Sequence, residues 1–312
     1  MKVSLVIPIY NEEGNIKLLY EKLSSVLKSL DLEYEIIFVD DGSVDGSLDL
    51  LKELHSIDKH LIVISLRKNF GQTAAFAAGF DYASGDIIIT MDGDLQNDPE
   101  DIPKLIELAK EYDIVSGWRK DRKDPFLSRR LPSMIANWLI SKVTGVKLHD
   151  YGCSLKAYKR DVLKNINLYG EMHRFIPVVA SQYGVKITEV VTKHHPRLFG
   201  KSKYGISRTF KVVLDLFMIK FFQSFFTKPL RAFGPFGLIS LLAGFLISLK
   251  LTFEKFFYHK DIGSRPLLIL GVMLIIVGFQ MLAMGILGEY LVRIYFETQR
   301  KPIYYIREIF KS

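Results

Sequence analysis

Two carboxylates separated by a single residue, Asp92 and Asp94, follow a continuous apolar run from Ile87 to Met91. Such a run predicts a strand that is buried on both faces. In an extended chain the two aspartates would point to the same side, and Gln96 would add an amide oxygen. Hard cations such as Mg²⁺ bind one or two carboxylates together with substrate phosphates. The pattern therefore suggests a metal site for a nucleotide diphosphate, whereas an isolated Asp-x-Asp is more often an acidic turn before a helix.

The chain around this stretch alternates between strand patterns and helix patterns. Apolar runs predict further strands at 3–7, 34–39, 61–66 and 113–117, and 3.6-residue periodicity predicts helices after the first three strands. This alternation predicts an α/β fold with a doubly wound, mostly parallel sheet. Ligands bind such sheets beyond the carboxyl ends of the strands. Three polar segments fall there, at 8–12, 40–41 and 92–94.

Composition limits the classes of partner. The 312 residues are 49% hydrophobic and carry a net charge of +8, which suits phosphate-bearing ligands or an anionic membrane. Nucleic acid is another common partner of basic chains, but no zinc-finger or RNP-type pattern occurs, so none is expected. Cys153 is the only cysteine, which excludes an intrachain disulfide and favours a reducing, cytosolic environment.

Three motifs together carry a family resemblance. No G-x-G-x-x-G follows the first strand and no P-loop occurs, which disfavours dinucleotide and P-loop chemistry. The motifs Pro8-x-Tyr-Asn-Glu12, Val39-Asp-Asp-Gly-Ser43 and Asp92-Gly-Asp-Leu-Gln96 instead resemble an inverting family 2 glycosyltransferase of the GT-A fold. The resemblance implies a base and ribose pocket for a nucleotide-sugar donor, lined by Pro8, Tyr10, Glu12, Asp40 and Asp41. It also implies that Mg²⁺ or Mn²⁺ is held on the diphosphate by Asp92, Asp94 and Gln96.

A basic segment follows the strand at 113–117. Its cations are Arg119, Lys120, Arg122, Lys123, Arg129 and Arg130. A solvated basic loop is the simplest interpretation. The segment is also similar to the acceptor loop of polyprenyl-phosphate glycosyltransferases such as dolichyl-phosphate mannose synthase. That resemblance implies that Arg119, Arg129 and Ser133 bind a lipid phosphate, and that a helix over 131–143 begins near the path of the lipid.

The block from Asp150 to Arg160 most resembles the undecaprenyl-phosphate formamido-arabinose transferases. Asp150 corresponds to an acidic position of the mannose synthases, whereas bactoprenol glucosyltransferases have their carboxylate where this chain has Cys153 and Ser154. The resemblance makes Asp150 a candidate catalytic residue together with Asp94, Arg119 and Arg129. A phosphate acceptor is already anionic and needs no base, so Asp150 could instead orient the donor sugar or an arginine, or cap the turn before Gly152. We expect Cys153 to be a packed residue.

The segment from His194 to Tyr204 contains a histidine pair, but no second pair at zinc spacing exists. By the same resemblance it forms a flap whose Arg197 and Lys203 cover the donor phosphates. The alternative is a basic linker that contacts anionic headgroups.

The C-terminal third predicts membrane association. Residues 208–228 are apolar but interrupted by charges, which favours helices lying in the interface. Residues 232–249 and 266–288 are uncharged, and each is close to the ~20 residues that a spanning helix needs. A buried core hairpin is the alternative. We predict a cytosolic catalytic domain at 1–205, interfacial helices at 206–230, two transmembrane helices at 231–290 and a cytosolic tail at 291–312.

These patterns lead to one hypothesis and two alternatives. The hypothesis is a metal-dependent, inverting hexosyl- or pentosyltransferase that moves a sugar from a nucleotide-sugar, taken as a UDP-sugar, to undecaprenyl or dolichyl phosphate. It would act at the cytosolic face of a prokaryotic plasma membrane. The sequence does not decide whether the protein forms a homo-oligomer. A processive polysaccharide synthase would carry Q-x-x-R-W, for which Met172-His-Arg-Phe175 is no substitute. A transport or flippase subunit would need polar groups in its spans, where Gln280 is the only Asn, Gln or charged residue.

Overall fold

The computed structural model describes residues 1–121, 131–166, 168, 172–196, 230–259, 261–263, 265–298 and 303–311. Two compact units make up the chain: Met1–Leu216 with Pro302–Ser312, and Phe217–Lys301. Three predicted site residues, Arg129, Arg197 and Lys203, lie outside the described residues, as do the predicted interfacial helices of 206–230 apart from residue 230. The four predicted domain boundaries stay a prediction.

Strands and helices alternate through most of the first unit. Its strands are β1 (Lys2–Ile9), β2 (Glu33–Asp40), β3 (Leu61–Leu66), β4 (Ile87–Thr90), β5 (Ile114–Trp118), β6 (Lys156–Lys159), β7 (Ile187–Val191) and β8 (Ile306–Phe310). Its helices are α1 (Glu13–Ser29), α2 (Ser47–Ile57), α3 (Gln72–Tyr82), α4 (Ile102–Ala109), α5 (Leu131–Thr144), α6 (Arg160–Lys164) and α7 (Ile176–Ala180). Short 3₁₀ segments occupy Pro99–Asp101, Met172–Phe175 and Ser181–Tyr183.

The strands form one eight-stranded sheet in the order β7-β5-β6-β4-β1-β2-β3-β8. Strands β1 to β4 pair in parallel, as predicted, because their continuous apolar sequences are buried on both faces. One buried cluster joins the sheet to α1, α2 and α4, and a second joins its other face to α3, α6 and α7. The predicted doubly wound α/β architecture, with helices on both faces of a mostly parallel sheet, is therefore confirmed.

The antiparallel strands were not predicted. Strand β6 lies between β4 and β5 and pairs with both in antiparallel fashion. Strand β8, close to the C-terminus, pairs antiparallel with β3 at the edge of the sheet. Its neighbours extend the attachment, because Tyr304 Oη donates to Asp81 Oδ2 at 2.6 Å and Arg67 N donates to the Tyr305 carbonyl at 3.0 Å. The segment predicted as a tail thus includes an edge strand of the first unit.

The second unit consists, among the residues described, of two long apolar helices, α8 (Leu230–Tyr258) and α9 (Pro266–Thr298). By length and composition, Phe233–Tyr258 and Pro266–Gly288 are candidate membrane spans. Only 17% and 11% of the respective windows are buried, so their apolar side chains do not form the core hairpin considered above. Helix α8 continues beyond the uncharged run at 232–249 and through charged residues that include Glu254, which pairs with Arg265 at 2.5 Å. It ends before His259, whose φ is 48°.

Glycines set the packing of α8 against α9. A Cβ placed on Gly244 would lie 2.6 Å from the Gly271 carbonyl oxygen, and one on Gly278 would lie 2.8 Å from that of Gly237. The two helices therefore approach backbone to backbone at two levels. Small residues at helix crossings are typical of membrane proteins, where close packing replaces the hydrophobic effect.

Candidate active site

Two loops at the carboxyl edge of the sheet are joined directly. Asn11 N donates to Ser43 Oγ at 2.9 Å, and Val44 N donates to Asn11 Oδ1 at 2.9 Å. Asn11 adopts a φ of 52°, a conformation that asparagine tolerates better than most residues. The structure thus brings together two of the predicted donor-pocket segments. Their predicted residues are Pro8 near the end of β1, Tyr10 and Glu12 before α1, and the Asp40-Asp41 pair.

Asp41 is buried and accepts two backbone hydrogen bonds from a third loop. Phe70 N donates to one carboxylate oxygen at 2.7 Å and Gly71 N to the other at 2.9 Å. Burial still raises the pKa of Asp41 to about 6, and repulsion from Asp40 adds to this effect. Asp40 accepts hydrogen bonds from Ser43 N and Ser65 Oγ at 3.1 and 3.2 Å.

The chain turns two residues after the end of β4, at Gly93 and Asp94, so the extended conformation on which the role of Gln96 was conditional does not occur. Gly93 and Asp94 form a turn, and Leu95 has a φ of 61°. Asp94 Oδ1 accepts Gln96 N at 3.2 Å, which folds the segment back on itself. A metal-binding role for Gln96 stays a prediction, without the extended geometry that suggested it.

Asp92 and Asp94 still lie close enough to affect each other. Burial raises the pKa of Asp92 first, and the negative charge of Asp94 raises it further. Ser154, Arg119 and Arg174 act in the opposite direction. Asp92 Oδ1 also accepts a hydrogen bond from Gln72 Nε2 at 2.6 Å.

These two carboxylates fit a divalent cation. Among the described residues, no group of three or more His, Cys, Asp or Glu side chains is arranged to hold a metal. Two carboxylates that repel each other and offer oxygen ligands alone suit Mg²⁺ or Mn²⁺. Such ions commonly complete their coordination with substrate phosphates and water. The arrangement therefore fits a metal that binds together with a diphosphate.

Arg119 and Asp150 form a buried ion pair. Arg119 Nε and Nη2 lie 2.7 and 3.0 Å from the two carboxylate oxygens, and the side chains are only 12% and 4% exposed. Burial alone would lower the pKa of Arg119, but the charge of Asp150 raises it above its ordinary value. Asp150 also accepts Gly152 N at 3.1 Å. Two of the roles left open for Asp150, orienting an arginine and capping the turn, are therefore both present.

The remaining predicted acceptor residues are only partly described. Ser133 lies in the first turn of α5 and is half-buried. Cys153 is completely buried, and burial raises the pKa of its thiol, which agrees with a packing role. The joint binding of a lipid phosphate by Arg119, Arg129 and Ser133 stays a prediction.

The start of the predicted flap is attached to the turn that carries Asp94. His194 forms a bridge with Asn97, and His195 N donates to the Gln96 carbonyl at 2.9 Å. His195 Nε2 also lies 3.0 Å from Asp98 Oδ2. Asp98 also caps the following 3₁₀ segment by accepting a hydrogen bond from Glu100 N. This pairing places residue 196 beside the turn, although Arg197 and Lys203 lie outside the described residues.

Sequence reasoning missed two residues near Asp92. Gln72 begins the helix after β3, so its place at the carboxyl edge could have been inferred from the predicted topology. Arg174 belongs to a 3₁₀ segment outside the strand–helix alternation, and no sequence pattern indicated its position.

Comparisons with known proteins agree with this geometry. Residues 4–166 match the family described as Glycosyl transferase family 2. The chain is 47% identical to the dodecaprenyl-phosphate galacturonate synthase of Rhizobium johnstonii, over 99% of this chain and 93% of that protein. It is 38% identical to the undecaprenyl-phosphate 4-deoxy-4-formamido-L-arabinose transferase of Yersinia enterocolitica, over 99% and 93%.

A solved structure shares the fold. Glucosyl-3-phosphoglycerate synthase from Mycobacterium tuberculosis, in complex with Mn²⁺, UDP and phosphoglyceric acid, matches with a TM-score of 0.53 at 18% identity. The match covers 70% of this chain and 78% of that one.

The buried ion pair predicts strong coupling between its members. Asp150→Ala should destabilise the protein by about 3–5 kcal/mol, because it leaves the Arg119 charge buried without its partner. The double variant Arg119→Met/Asp150→Leu should lose less than the sum of its single substitutions. Thermal unfolding in detergent measures both effects. Glu100→Ala, which breaks an exposed pair with Lys193, is the control and should change little. Additive losses at positions 119 and 150 would contradict the coupling.

The raised pKa of Asp41 predicts a pH-dependent stability. Because the folded-state pKa of about 6 lies above the ordinary value of 3.8, ionising Asp41 costs folding free energy. This cost is absent below the lower value, grows as pH rises between the two, and is then constant. Asp41→Asn cannot ionise, so its unfolding temperature should improve relative to wild type as pH rises across this window. Asp49→Asn, at an exposed position of α2, is the control. A difference between wild type and Asp41→Asn that does not vary with pH would refute the assignment.

Proposed function

This chain belongs to glycosyl transferase family 2, and from that premise we propose that it transfers a sugar from a nucleotide-sugar to a polyprenyl phosphate. The observation that carries the proposal is the placement of the Asp92/Asp94 carboxylates near the Arg119–Asp150 pair. The two carboxylates suit a metal bound to a diphosphate, and the arginine of the ion pair suits a phosphate acceptor. The 47% identical relative, named for a dodecaprenyl-phosphate product, supports the same acceptor class.

The donor would bind across the carboxyl ends of β1, β2 and β4. Asp40 and Asp41 are fixed by backbone N–H groups and hydroxyls, so they offer a rigid polar wall for a base and ribose. A UDP-sugar is the proposed donor, since glucosyl-3-phosphoglycerate synthase, which has the same fold, was solved with UDP.

Asp92 and Asp94 would hold Mg²⁺ or Mn²⁺ on the donor diphosphate. When bound, such an ion offsets the negative charge that develops on the departing nucleoside diphosphate. Gln72 keeps Asp92 in place through its 2.6 Å hydrogen bond, and the turn at Gly93 sets the position of Asp94.

Arg119 would bind the acceptor phosphate. Asp150 engages Nε and Nη2 of the guanidinium, which leaves the Nη1 donors outside this pair. A phosphate oxygen is already anionic near neutral pH, so attack on the anomeric carbon requires no general base. Asp150 therefore acts as a positioning residue, and a single in-line displacement inverts the anomeric carbon.

The chain path supports a membrane hairpin with both ends on one side. The chain leaves the first unit before α8 and returns to it at β8 after α9, so two spans must bring it back to the side from which it started. A donor site for a nucleotide-sugar requires that side to be the cytosol. The 259–265 connection would then lie outside.

Activity and metal dependence test the central proposal. Purified protein is incubated with a short polyprenyl phosphate, Mn²⁺ or Mg²⁺ and a panel of UDP-sugars that includes UDP-galacturonate. One sugar should appear on the lipid phosphate. Asp94→Asn and excess EDTA should each abolish transfer, because both remove the ion from the diphosphate. Asp49→Asn removes an equal charge from an exposed position and should retain activity.

Two results would count against this proposal. Transfer by Asp94→Asn in excess chelator would exclude the metal site. Formation of a lengthening glycan, in place of one lipid-linked sugar, would favour a processive synthase.

Membrane orientation gives an independent prediction. A His259→Cys substitution in a Cys153→Ser background should react with a membrane-impermeant maleimide on intact cells. The reason is that position 259 begins the connection between the two helices. Cysteine at exposed position 49 is the matched control and should react only after lysis. The reverse pattern would show that the proposed orientation is inverted.

A further inference from the structure

The short segment Met172–Phe175 carries a chain of hydrogen bonds that the proposed function does not use. His173 is 7% exposed, and its Nδ1 lies 2.7 Å from Oγ1 of Thr73, which is 3% exposed. Arg174 Nε donates to His173 Nε2 at 3.3 Å. Hydrogen bonds therefore connect Thr73 of α3 to His173, and His173 to Arg174.

The direction of these bonds fixes the protonation of His173. A guanidinium N–H can only donate, so His173 Nε2 must be the acceptor. The ring proton then lies on Nδ1 and is donated to Thr73 Oγ1. This tautomer follows from the two hydrogen-bond partners of the ring. If both ring nitrogens carried a proton, Nε2 could not accept the hydrogen bond from Arg174. His173 is thus a neutral support that orients the guanidinium.

The same turn of α3 also holds Asp92. Gln72, the residue before Thr73, donates to Asp92 Oδ1 at 2.6 Å. Consecutive residues therefore fix one carboxylate of the proposed metal site and the histidine that supports Arg174. Arg174 lies close enough for its positive charge to act on the Asp92 carboxylate.

Arg174 is a second cation beside Asp92. Arg119, whose guanidinium binds Asp150, also acts on Asp92. A nucleoside diphosphate adds further negative charge to a site that contains Asp92 and Asp94. An additional oriented guanidinium is the group that suits phosphate oxygens, because it donates two parallel hydrogen bonds in a fixed plane.

We propose that Arg174 is a further binding residue for the donor diphosphate and that His173, supported by Thr73, positions it. The inference rests on the metal and diphosphate site proposed above. Its chemistry is electrostatic: a cation held in place before the reaction stabilises the charge that develops on the leaving group.

Calorimetric binding of UDP with Mn²⁺ to the full-length protein in detergent tests the role of Arg174. Arg174→Gln should weaken UDP binding roughly ten- to a hundred-fold, the loss expected for one charge-assisted contact. The dependence of the transfer rate on polyprenyl-phosphate concentration should keep the wild-type half-saturation. Arg160→Gln is the matched control, since Arg160 Nη1 contacts the Ser84 carbonyl, before the amino end of β4. Its UDP affinity should equal that of wild type.

Substitutions of His173 test the positioning role. His173→Phe keeps an aromatic ring against Phe76 but removes both hydrogen bonds. It should weaken UDP binding in the same direction as Arg174→Gln. His173→Gln supplies a donor and an acceptor again and should recover part of the affinity. If both variants lose thermal stability equally while UDP affinity is unchanged, the role of His173 is structural only and the proposal is wrong.

Asp94→Asn separates this inference from the proposed function. Loss of Mn²⁺-dependent UDP binding in Asp94→Asn, with wild-type affinity in Arg174→Gln, would overturn the inference alone. Undiminished binding in Asp94→Asn would overturn the metal site itself. If Arg174→Gln does not fold, Arg174→Lys replaces it, because lysine keeps the charge but lacks the Nε–H that His173 accepts. Wild-type UDP affinity in Arg174→Lys would then overturn the proposal.

Discussion

Negative charge held away from bulk water at one edge of the sheet is the constraint on which this site depends. Four buried carboxylates lie there, Asp40, Asp41, Asp94 and Asp150, and Asp92 beside them is partly exposed. Removing a carboxylate from water is costly unless hydrogen bonds or opposite charges replace the lost hydration. The loops at this edge supply that replacement. Backbone N–H groups of residues 70 and 71 donate hydrogen bonds to Asp41, and the side-chain amide of Gln72 donates one to Asp92. The guanidinium of Arg119 forms an ion pair with Asp150.

The compensation is uneven, and the unevenness points to function. Asp150 forms a direct ion pair with Arg119. Asp92 instead accepts a hydrogen bond from the Gln72 amide and lies close to a second carboxylate, Asp94, which raises its pKa even though Arg119 and Arg174 act in the opposite direction. A divalent cation brought in with a diphosphate would remove this repulsion. The protein then needs to supply little more than positioning, since both the acceptor phosphate and the donor diphosphate are charged before they react. Rigid loops tied to one another by hydrogen bonds suit that task.

The predictable part of the fold follows from local sequence. Strands β1 to β4 are short apolar runs, and parallel pairing places their carboxyl ends together, so the positions of Asp40 and Asp92 follow from pattern alone. Strand β6 gave no such signal, because it contains two lysines and pairs antiparallel with distant segments. The role of Gln96 was conditional on an extended chain after Asp92, and the turn at Gly93 and Asp94 removes that condition. The continuation of α8 past Lys250 was not predicted either, because the uncharged run that indicated a span stops at residue 249.

Site residues divide along the same line. Asp41, Asp92 and Asp94 were proposed as site residues from motifs, and this assignment stays a prediction. The arrangement of Asp150 against Arg119 was one of several alternatives that only coordinates could decide. Gln72 and Arg174 depend on how α3 and a 3₁₀ segment meet, a long-range contact that has no local signature.

The most direct measurement of the central claim is an anomalous diffraction map at the manganese edge, from crystals of the protein grown with UDP and MnCl₂. Our account predicts a single strong peak between Asp92 and Asp94 and the UDP diphosphate, with oxygen ligands at about 2.0–2.6 Å. A map with ordered UDP but no peak at these carboxylates, or with manganese bound instead at Asp98 and His195, would contradict it.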